Sequence, residues 1–317
     1  MEIRNVGRSD LRVSVVGMGC NNFSRRGTHT ETLEGSTEVI RTAIDAGITF
    51  FDGADIYGST PGRSEEFLGA ALEGVRDEVV LATKFGHQDY AMPGTEDWGP
   101  KGGARYIRRA VEASLRRLRT DRIDLLQMHT PDPETPIEET LAALTDLVGQ
   151  GKVLYLGHSN FTPEQARDAA AASEQDGNES FISTQNEYSL VAREFEALMA
   201  PVADEFGLGV FPYFPLANGL LTGKYTRAGG GEGRLTRQKP ALLAATDWDQ
   251  LEAYQAICDD ADRSMLEVTF QWLLSRPNIS SVIAGATQIS QVMQNTAAGR
   301  SVVSTDVLDA VDALFAP

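Results

Sequence analysis

Residues 104–129 read ARYIRRAVEASLRRLRTDRIDLLQMH, and this stretch decides the fold class. In its first part, apolar or small residues recur at steps of three and one from Ile107 to Leu118, while arginines occupy the opposite side. This spacing predicts an amphipathic helix over 104–119. In its second part, the apolar run 123–129 predicts a strand that is buried on both faces. Amphipathic helices that alternate with such strands are typical of a parallel sheet covered by helices.

The same alternation of a short apolar run with a helical pattern runs through the whole chain. Eight runs predict strands, at 13–19, 48–52, 79–84, 123–129, 153–159, 181–186, 208–214 and 279–285. The other helical patterns begin at Thr37, Ser64, Pro136, Pro163, Arg193, Ser264 and near Ser290. Eight such units favour a closed (β/α)8 TIM barrel over an open doubly wound sheet, and they predict one domain over 1–317.

Three segments stand outside this alternation. Residues 2–14 contain a turn with a glycine between two short polar-apolar runs, which predicts a β-hairpin that plugs the bottom of the barrel. The long stretches 85–103 and 216–240 show no regular pattern and directly follow strands. Since active sites of barrels are built from the loops after the strands, these two stretches are the candidate substrate and cofactor loops.

The charge of the chain excludes several kinds of partner. Of 317 residues, 28 are Lys or Arg and 45 are Asp or Glu, which gives a formal net charge of −17. Wide contact with nucleic acid or with an anionic membrane surface needs a basic face, so we expect neither partner. A polyanionic ligand must therefore find a local basic segment.

Targeting and metal-binding signals are missing from the sequence. No stretch of 18 apolar residues occurs, and the first residues lack the basic start and apolar run of a signal peptide. Cys20 and Cys258 stand far apart without metal-ligand spacing. We therefore expect a cytoplasmic protein with reduced thiols and no metal.

Four polar residues follow the predicted strands closely, and they suggest an active site. They are Asp52 and Tyr57 in FFDGADIYG, Lys84 in LATKFG and His129 in LLQMHTPDP. Each alone has an ordinary explanation: a helix-capping Asp, a Lys that extends to solvent, or a histidine satisfied in the core. In a barrel, however, all four point into one mouth, and their convergence favours a catalytic role.

These residue types suit the reduction of a carbonyl group. The usual pKa of tyrosine, about 10, is too high for easy proton exchange, and an ammonium such as that of Lys84 lowers it. Asp52 can hold that ammonium, and His129 can donate a hydrogen bond to a carbonyl oxygen. None of these residues supplies a hydride, so the hydride must come from a cofactor.

At these residues the chain resembles the aldo-keto reductase superfamily. Seven segments occur in that family's order: FDGADIYG, ATKFG, HTPDP, GHSNF, TQNEYSL, YFPLANGLLTGKY and SVIAGATQISQVMQN. The resemblance covers nearly the whole chain and implies the same barrel. It also implies reduction of aldehydes or ketones, with Tyr57, Asp52, Lys84 and His129 as the catalytic tetrad and Tyr57 as general acid.

The resemblance further implies a nicotinamide dinucleotide bound without a Rossmann motif, and the sequence contains no GxGxxG between a strand and a helix. The implied cofactor residues are Gly19, Cys20, Asp52, Ser159, Asn160, Gln185, Tyr213, Phe214, Pro215, Leu216, Asn218, Gly223, Lys224, Gly285, Thr287, Gln291 and Asn295. Ser159, Asn160 and Gln185 are expected at the carboxamide, with the ring of Tyr213 stacked on the nicotinamide. Alternatively, Asn160 and Gln185 satisfy backbone groups of the rim, and Tyr213 belongs to the core.

The choice between NADP(H) and NAD(H) depends on two segments. Residues 224–239 contain five Lys or Arg against Glu232 alone, and they form a local basic segment after the seventh strand. The adenosine segment 284–299 contains no basic residue to hold a 2′-phosphate, although many relatives have one. We expect NADP(H), without excluding NAD(H). Two departures from the family pattern are Phe214, where relatives often have Ser, and His158, which we interpret as structural.

For the substrate, the sequence predicts only a small carbonyl compound, aromatic or sugar-derived. Tyr57 and His129 should contact it, and Trp98 is a further candidate that could equally pack on its own loop. No arginine cluster marks a charged substrate. One alternative function is a non-catalytic, cofactor-binding regulatory subunit of the same fold. A hydrolase with paired carboxylates is disfavoured, because only Asp52 ends a strand. The oligomeric state stays open.

Overall fold

The structure is a computed structural model that describes residues 1–229, 231 and 233–316. A two-stranded hairpin precedes eight parallel strands. The hairpin consists of β1 Ile3–Asn5 and β2 Arg12–Ser14. The eight strands are β3 Val16–Gly19, β4 Phe50–Asp52, β5 Val80–Phe85, β6 Ile123–Met128, β7 Val153–Ser159, β8 Phe181–Glu187, β9 Gly209–Tyr213 and β10 Val282–Gly285.

The eight strands form the predicted (β/α)8 barrel. Their order is β10-β3-β4-β5-β6-β7-β8-β9, so each strand from β3 to β9 lies beside its successor in the chain and β10 returns to β3. The remaining gap closes where the amide of Val210 donates to the carbonyl of Asn278 at 2.8 Å and that of Ser280 donates to Val210 at 3.1 Å. We call the end of the barrel at which the strands finish the mouth.

One predicted strand was wrong in extent. The run 13–19 is divided into β2 of the hairpin and β3 of the barrel. The division follows from Ser14, whose hydroxyl donates to the carbonyl of Val16 at 2.6 Å and accepts from the amide of Thr49 at 2.9 Å. These bonds turn the chain at 14–15, because they use backbone groups that a continuous strand would pair with its neighbours.

The hairpin closes the end of the barrel opposite the mouth, as predicted. Its apolar side chains pack with residues that point into the barrel from five strands. This cluster is Val6, Leu11, Val13, Phe50, Ala82, Leu125, Phe211 and Ile283. The rings of Phe50 and Phe211 stack at 4.7 Å, and every member is at most 7% exposed. The bottom of the barrel is therefore an apolar core, not a channel.

Helices cover the outside of the barrel. They are α1 Leu33–Asp45, α2 Arg63–Ala71, α3 Ala104–Leu118, α4 Ile137–Gly149, α5 Pro163–Asp176, α6 Glu194–Leu198, α7 Ala200–Phe206, α8 Arg234–Gln238, α9 Pro240–Ala244, α10 Trp248–Asp260, α11 Met265–Leu274, α12 Ile289–Arg300 and α13 Thr305–Leu314. The helix predicted over 104–119 is α3, which ends where Arg119 takes a left-handed conformation. The helix expected from Thr37 begins four residues earlier, because Thr32 caps it by accepting from the amide of Gly35 at 3.1 Å. In the described part of the chain, no helix is both long and apolar enough to cross a membrane.

The two long loops differ from each other. After Phe85, residues 86–103 form turns without a helix or strand, as expected. Residues 216–240 are more regular than predicted, since they include a 3-10 helix, Ala217–Thr222, as well as α8 and the start of α9. Two residues of the predicted basic segment 224–239, Gly230 and Glu232, lie outside the described residues. Both loops lie at the mouth.

Candidate active site

The predicted tetrad comes together on one side of the mouth. Asp52 ends β4, Lys84 lies in β5, His129 directly follows β6, and Tyr57 lies in the loop after β4. The ammonium of Lys84 donates to Asp52 Oδ2 at 2.6 Å and to the carbonyl of Gly53 at 2.9 Å. Since Lys84 is fully buried and Asp52 is 3% exposed, this ion pair is shielded from solvent.

The second oxygen of Asp52 is held by two amide side chains. Gln127 Nε2 and Gln185 Nε2 each donate to Asp52 Oδ1 at 3.0 Å, and Gln185 also donates to Gln127 Oε1 at 3.2 Å. Gln127 was not among the predicted site residues. It lies two positions before His129 in β6, and this strand spacing puts both residues on the same face, so the period-two rule could have found it. The carboxylate is thus fixed by three donors.

Tyr57 lies above this ion pair, and its pKa differs from our expectation. The Lys84 ammonium is 5.3 Å from the centre of the Tyr57 ring. Burial raises the pKa of Tyr57 above its usual value, and the positive charge of Lys84 offsets this effect only in part. Lys84 acts in the expected direction, but desolvation of the phenolate outweighs this attraction, so the net shift of the Tyr57 pKa is upward. Tyr57 is a protonated phenol at neutral pH.

His129 completes the cluster as a neutral imidazole. Its ring lies edge-on to that of Tyr57, with centroids 5.9 Å apart. Burial, followed by the charges of Lys84 and His87, holds the pKa of His129 well below its usual value. Among the described residues, its buried Nδ1 has no hydrogen-bond partner. A neutral ring with one free polar atom can donate to or accept from a ligand at the mouth.

Lys84 keeps its charge in this environment. Burial lowers the pKa of its ammonium, but the net shift is upward, and the negative charge of Asp52 is the largest opposing cause. A fixed positive charge thus lies beside a phenol that can release a proton and beside a neutral imidazole. This arrangement can deliver a proton to a bound oxygen atom and stabilise the phenolate that remains.

The next strand ends bring together the residues expected at the nicotinamide. Ser159 Oγ donates to the carbonyl of Gln185 at 2.8 Å, and Asn160 Nδ2 donates to the carbonyl of His129 at 3.0 Å. Tyr213 donates its phenolic hydrogen to Asn160 Oδ1 at 3.0 Å. The alternative prediction was that Asn160 and Gln185 satisfy backbone groups of the rim. It holds in part for Asn160, whose amide donates to the backbone carbonyl of His129. The same bonds also fix the side chains that would face a ligand.

The chain after β9 is bent in a way that suits a ligand. Phe214, Ala217 and Asn218 have φ of 52°, 46° and 59°, and Asn160 at the end of β7 has φ of 60°. Such left-handed conformations are costly for residues other than glycine and cluster at binding sites. Within the described chain, the buried Asn218 Oδ1 has no partner. A polar group of a ligand can satisfy this atom.

Cations gather above the ring of Phe214. The guanidinium of Arg234 lies 5.1 Å and the ammonium of Lys239 lies 4.9 Å from its centroid. Arg25, from the loop after β3, is close enough to Arg234 to feel its charge: burial and then that charge lower the pKa of Arg25 to about 10. The buried Nε of Arg234 has no partner among the described residues. Sequence reasoning missed Arg25, since its loop carries no motif that points to the mouth.

The predicted basic segment 224–239 is only partly directed at the mouth. Arg227 bonds to Asp249 and Glu252 of α10, and this pairing neutralises it. Lys224 is exposed and lies 5.0 Å above the ring of Tyr225. Arg234 and Lys239 are therefore the members of the segment that meet at Phe214.

The adenosine segment 284–299, which includes the end of β10 and most of α12, differs in accessibility from residue to residue. Gly285 is exposed, and a Cβ there would lie 2.3 Å from Asn22 Nδ2, so a larger residue would require the side chain of Asn22 to move. Gln291 Oε1 accepts from the amide of Thr287 at 2.7 Å and from its hydroxyl at 3.1 Å. Asn295 is 5% exposed in α12, so it is the least accessible of the four residues predicted in this segment.

The remaining predicted cofactor residues divide by accessibility. Pro215 is buried and Leu216 packs against the core, whereas Gly223 is exposed with φ of 77°. Gly19 ends β3 and is partly exposed. Cys20 is fully buried, so only its backbone can approach a ligand.

Two other aromatic side chains lie away from the tetrad. Trp98 packs against Tyr106 with ring centres 5.5 Å apart and under Arg109, so it contacts α3. His158 packs on Phe161 at 4.5 Å, and burial lowers its pKa to about 3, in agreement with a structural role. Within the described ranges, no group of three His, Cys, Asp or Glu residues could hold a metal.

The fold and the site define a class of protein: a (β/α)8 barrel with a buried ammonium-carboxylate pair beneath a tyrosine and a histidine at its mouth. A model of the aldo/keto reductase family matches residues 15–316, and the chain belongs to this family. The resemblance inferred from its seven segments is confirmed, and relatives named as oxidoreductases support the same general activity.

Three relatives illustrate the range of names in the family. The chain is 30% identical to the L-glyceraldehyde 3-phosphate reductase of Escherichia coli K12 over 94% of its own length and 87% of that protein. It is 35% identical to the uncharacterized oxidoreductase YrpG of Bacillus subtilis, over 99% and 96%. It is 31% identical to a probable voltage-gated potassium channel subunit beta of Arabidopsis thaliana, over 93% and 90%.

Proposed function

We propose that this protein reduces aldehydes or ketones to alcohols with a reduced nicotinamide dinucleotide, NADP(H) in preference to NAD(H). One observation carries the proposal: the buried Lys84-Asp52 pair, with a bond of 2.6 Å, lies beneath a protonated Tyr57 and beside a neutral His129. A stable barrel does not need such a set, since a buried ion pair carries a desolvation penalty that well-packed apolar side chains of similar volume would avoid.

The chain's own residues divide the work in this proposal. Tyr57 donates its phenolic proton to the substrate oxygen as that oxygen gains negative charge. Lys84 stabilises the phenolate, and Asp52 holds Lys84 in place. His129 hydrogen-bonds the same oxygen and orients the carbonyl. When bound, the nicotinamide supplies the hydride that reduces the carbonyl carbon.

The side chains at the other strand ends fit a dinucleotide. Ser159, Asn160 and Gln185 offer polar atoms near the tetrad, and the half-buried ring of Tyr213 offers a flat surface for the nicotinamide. The unpartnered Asn218 Oδ1 and the cations over Phe214 suit the polar and anionic remainder. Gly285, Thr287, Gln291 and Asn295 would face the adenosine end.

The preference for NADP(H) rests on Arg25, Arg234 and Lys239, whose charges can offset an additional phosphate. The absence of Lys and Arg from 284–299 works against this preference and leaves NAD(H) as its competitor.

We also propose that residues 1–317 form one domain that works in the cytoplasm on small carbonyl compounds, without nucleic acid or membrane partners. The net charge of −17 supports this view, because both of those partners are polyanions.

A second candidate is a cofactor-binding regulatory subunit with the same fold. It is favoured by the relatives from Arabidopsis thaliana and Oryza sativa that are named probable voltage-gated potassium channel subunit beta. Such a protein would keep the dinucleotide site, so cofactor binding alone cannot separate the two candidates.

A carbonyl screen with both cofactors tests the proposal. The purified protein is incubated with NADPH or NADH and a panel of aldehydes and ketones, and the absorbance of the reduced nicotinamide is followed. Tryptophan fluorescence measures the affinity for each dinucleotide in parallel. We expect turnover, with tighter binding of NADPH. Binding without turnover of any carbonyl would favour the regulatory subunit, and no binding of either dinucleotide would contradict both.

A further inference from the structure

A row of aromatic rings runs from Tyr57 towards solvent. The ring of His129 lies 5.9 Å from Tyr57, that of His87 lies 4.6 Å from His129, and that of Tyr90 lies 4.9 Å from His87. Each contact is edge-to-face, with interplanar angles of 84°, 77° and 89°. Tyr90 is 52% exposed, so the row reaches the surface of the mouth. It leads from the proposed general acid to an exposed aromatic side chain.

The outer half of the row is held by one ammonium group. Lys101 Nζ donates to the carbonyls of His87 at 2.5 Å, Gln88 at 3.1 Å and Tyr90 at 2.8 Å. The amide of Gln88 also donates to Thr130 Oγ1 at 3.0 Å, one residue after His129. Since residues 86–103 contain no helix or strand, these bonds position the two outer rings.

The rings of His87 and His129 carry no charge at neutral pH. Burial and the neighbouring charge of Lys101 lower the pKa of His87, against the opposing effect of Asp89. The ammonium of Lys101 is occupied by the three carbonyls. A flat, uncharged surface of this kind can pack against the face or edge of another aromatic ring. An anionic substituent would lose its hydration there without gaining a charged or hydrogen-bonding partner.

We propose that His87 and Tyr90 form the wall that contacts the substituent of the carbonyl substrate, that this wall selects aromatic aldehydes and ketones, and that Lys101 is its positioning residue. The inference rests on the proposed function of the tetrad and names the substrate class of the same site. A single ring contact contributes about a threefold to tenfold gain in affinity, which sets the size of the expected effects.

Steady-state kinetics test the selection. We compare kcat/KM for benzaldehyde with kcat/KM for butanal in the wild type, His87→Ala and Tyr90→Ala, and we measure the Kd of the dinucleotide by fluorescence. We expect the wild type to prefer benzaldehyde. Each variant should lower the ratio of benzaldehyde to butanal about fivefold, through KM for benzaldehyde, while the dinucleotide Kd stays within twofold. An unchanged ratio in both variants, or a wild type that prefers butanal, would overturn the proposal.

Ligand-observed NMR makes the test independent of turnover. Saturation transfer from the dinucleotide-loaded protein to the ring protons of benzyl alcohol should be strong for the wild type and weaker for His87→Ala. If the wild type shows saturation transfer without reducing any aldehyde, contact of the ligand with His87 and Tyr90 is supported and the proposed function is contradicted. If turnover occurs but the ring protons receive no saturation, the wall is wrong and the proposed function stands.

Lys101 is tested by its own pair of variants. Lys101→Met removes all three hydrogen bonds, and we expect KM for benzaldehyde to rise about tenfold with a smaller change in kcat. Lys101→Arg keeps a cation and donors and should recover most of the loss. Lys152→Met is the matched control, because Lys152 bonds to Glu112 on the outside of the barrel. Equal effects of Lys101→Met and Lys152→Met on KM would refute the positioning role.

Discussion

The two sides of the mouth are built differently. On the tetrad side, Lys84, Asp52, Gln127 and Gln185 bond to one another without any ligand. On the opposite side, the described chain leaves Asn218 Oδ1 and Arg234 Nε buried without partners, and the backbone after β9 is bent into left-handed conformations. Buried polar groups are normally paired, and a ligand that binds on this side could supply the missing partners. The tetrad is preorganised for chemistry, whereas the other side is prepared for binding.

The largest expected effect would affect carbonyl reduction, which depends on the tetrad side, and leave dinucleotide binding nearly unchanged. Tyr57→Phe removes the proton donor but keeps the ring, so we expect the rate of carbonyl reduction to fall about 10²- to 10⁴-fold. The dinucleotide should bind nearly as tightly, because the phenolic hydroxyl of Tyr57 is not among its proposed contacts. Single-turnover kinetics and fluorescence titration measure the two quantities. Reduction at the wild-type rate would remove Tyr57 from its proposed role.

Removing the charge of Lys84 should destabilise the folded protein. Lys84→Met leaves Asp52 buried without its counter-ion, and we expect the free energy of unfolding to fall by about 3–5 kcal/mol. The double variant Lys84→Met with Asp52→Asn should recover part of this loss, because no uncompensated charge remains. Urea unfolding measures all three proteins, with Lys152→Met, at a partly exposed position, expected within about 1 kcal/mol of wild type. A double variant less stable than the single would contradict the explanation.

Asp55 lies near the tetrad, and its buried Oδ1, like Nδ1 of His129, has no partner in the described chain. Burial, followed by repulsion from Glu65, raises its pKa from 3.8 to about 7. Between pH 3.8 and about pH 7, the carboxyl group of Asp55 is protonated in the folded protein and ionised in the unfolded chain. The contribution of Asp55 to stability therefore falls as the pH rises through this window, by at most about 4 kcal/mol in total.

Asp55→Asn should remove this pH dependence. We expect the free energy of unfolding of the variant to exceed that of the wild type by more at pH 8 than at pH 5. Urea unfolding at both pH values measures these differences. Asp168→Asn, at an exposed position of α5, serves as the control and should show no such difference. If wild type and Asp55→Asn differ equally at the two pH values, Asp55 does not titrate in this range.

The smallest expected effect belongs to the binding side. Arg234→Met should raise the Kd of the dinucleotide about tenfold and make it less dependent on salt, since a partly buried cation beside a phosphate is lost. Arg227→Met is the control within the same loop, because Arg227 is already paired with Asp249 and Glu252. Titrations at low and high salt compare the two variants. Equal losses would mean that the loop acts through its overall charge alone.

The same contrast explains what could be predicted from the sequence. The barrel followed from apolar runs and helical periods, and the places of Asp52, Lys84 and His129 followed from the rule that barrel residues at strand ends converge. Side-chain pairing did not follow. The amide of Gln127 and the shift in the pKa of Tyr57 depend on burial and on distances that no one-dimensional pattern contains.

Loop placement was the least predictable part. Arg25 and Arg234 are far apart in the chain and meet only because the loops after β3 and β9 face each other across β10. Arg227 looked equivalent to Arg234 by charge, yet acidic residues of α10 neutralise it. The contact of Trp98 with α3 depends likewise on the path of a loop that has no periodicity.

The pairing of β3 with β10 has a consequence for synthesis of the chain. Val16 lies beside Val282, so the first strand of the barrel gains this neighbour only after about 270 further residues have been made. At the usual rate of translation this interval is roughly 15 to 50 s. Throughout that time one edge of β3 has unpaired backbone groups, which makes the growing chain open to pairing with other strands. The hairpin of residues 3–14 needs no such wait, because both of its strands leave the ribosome together.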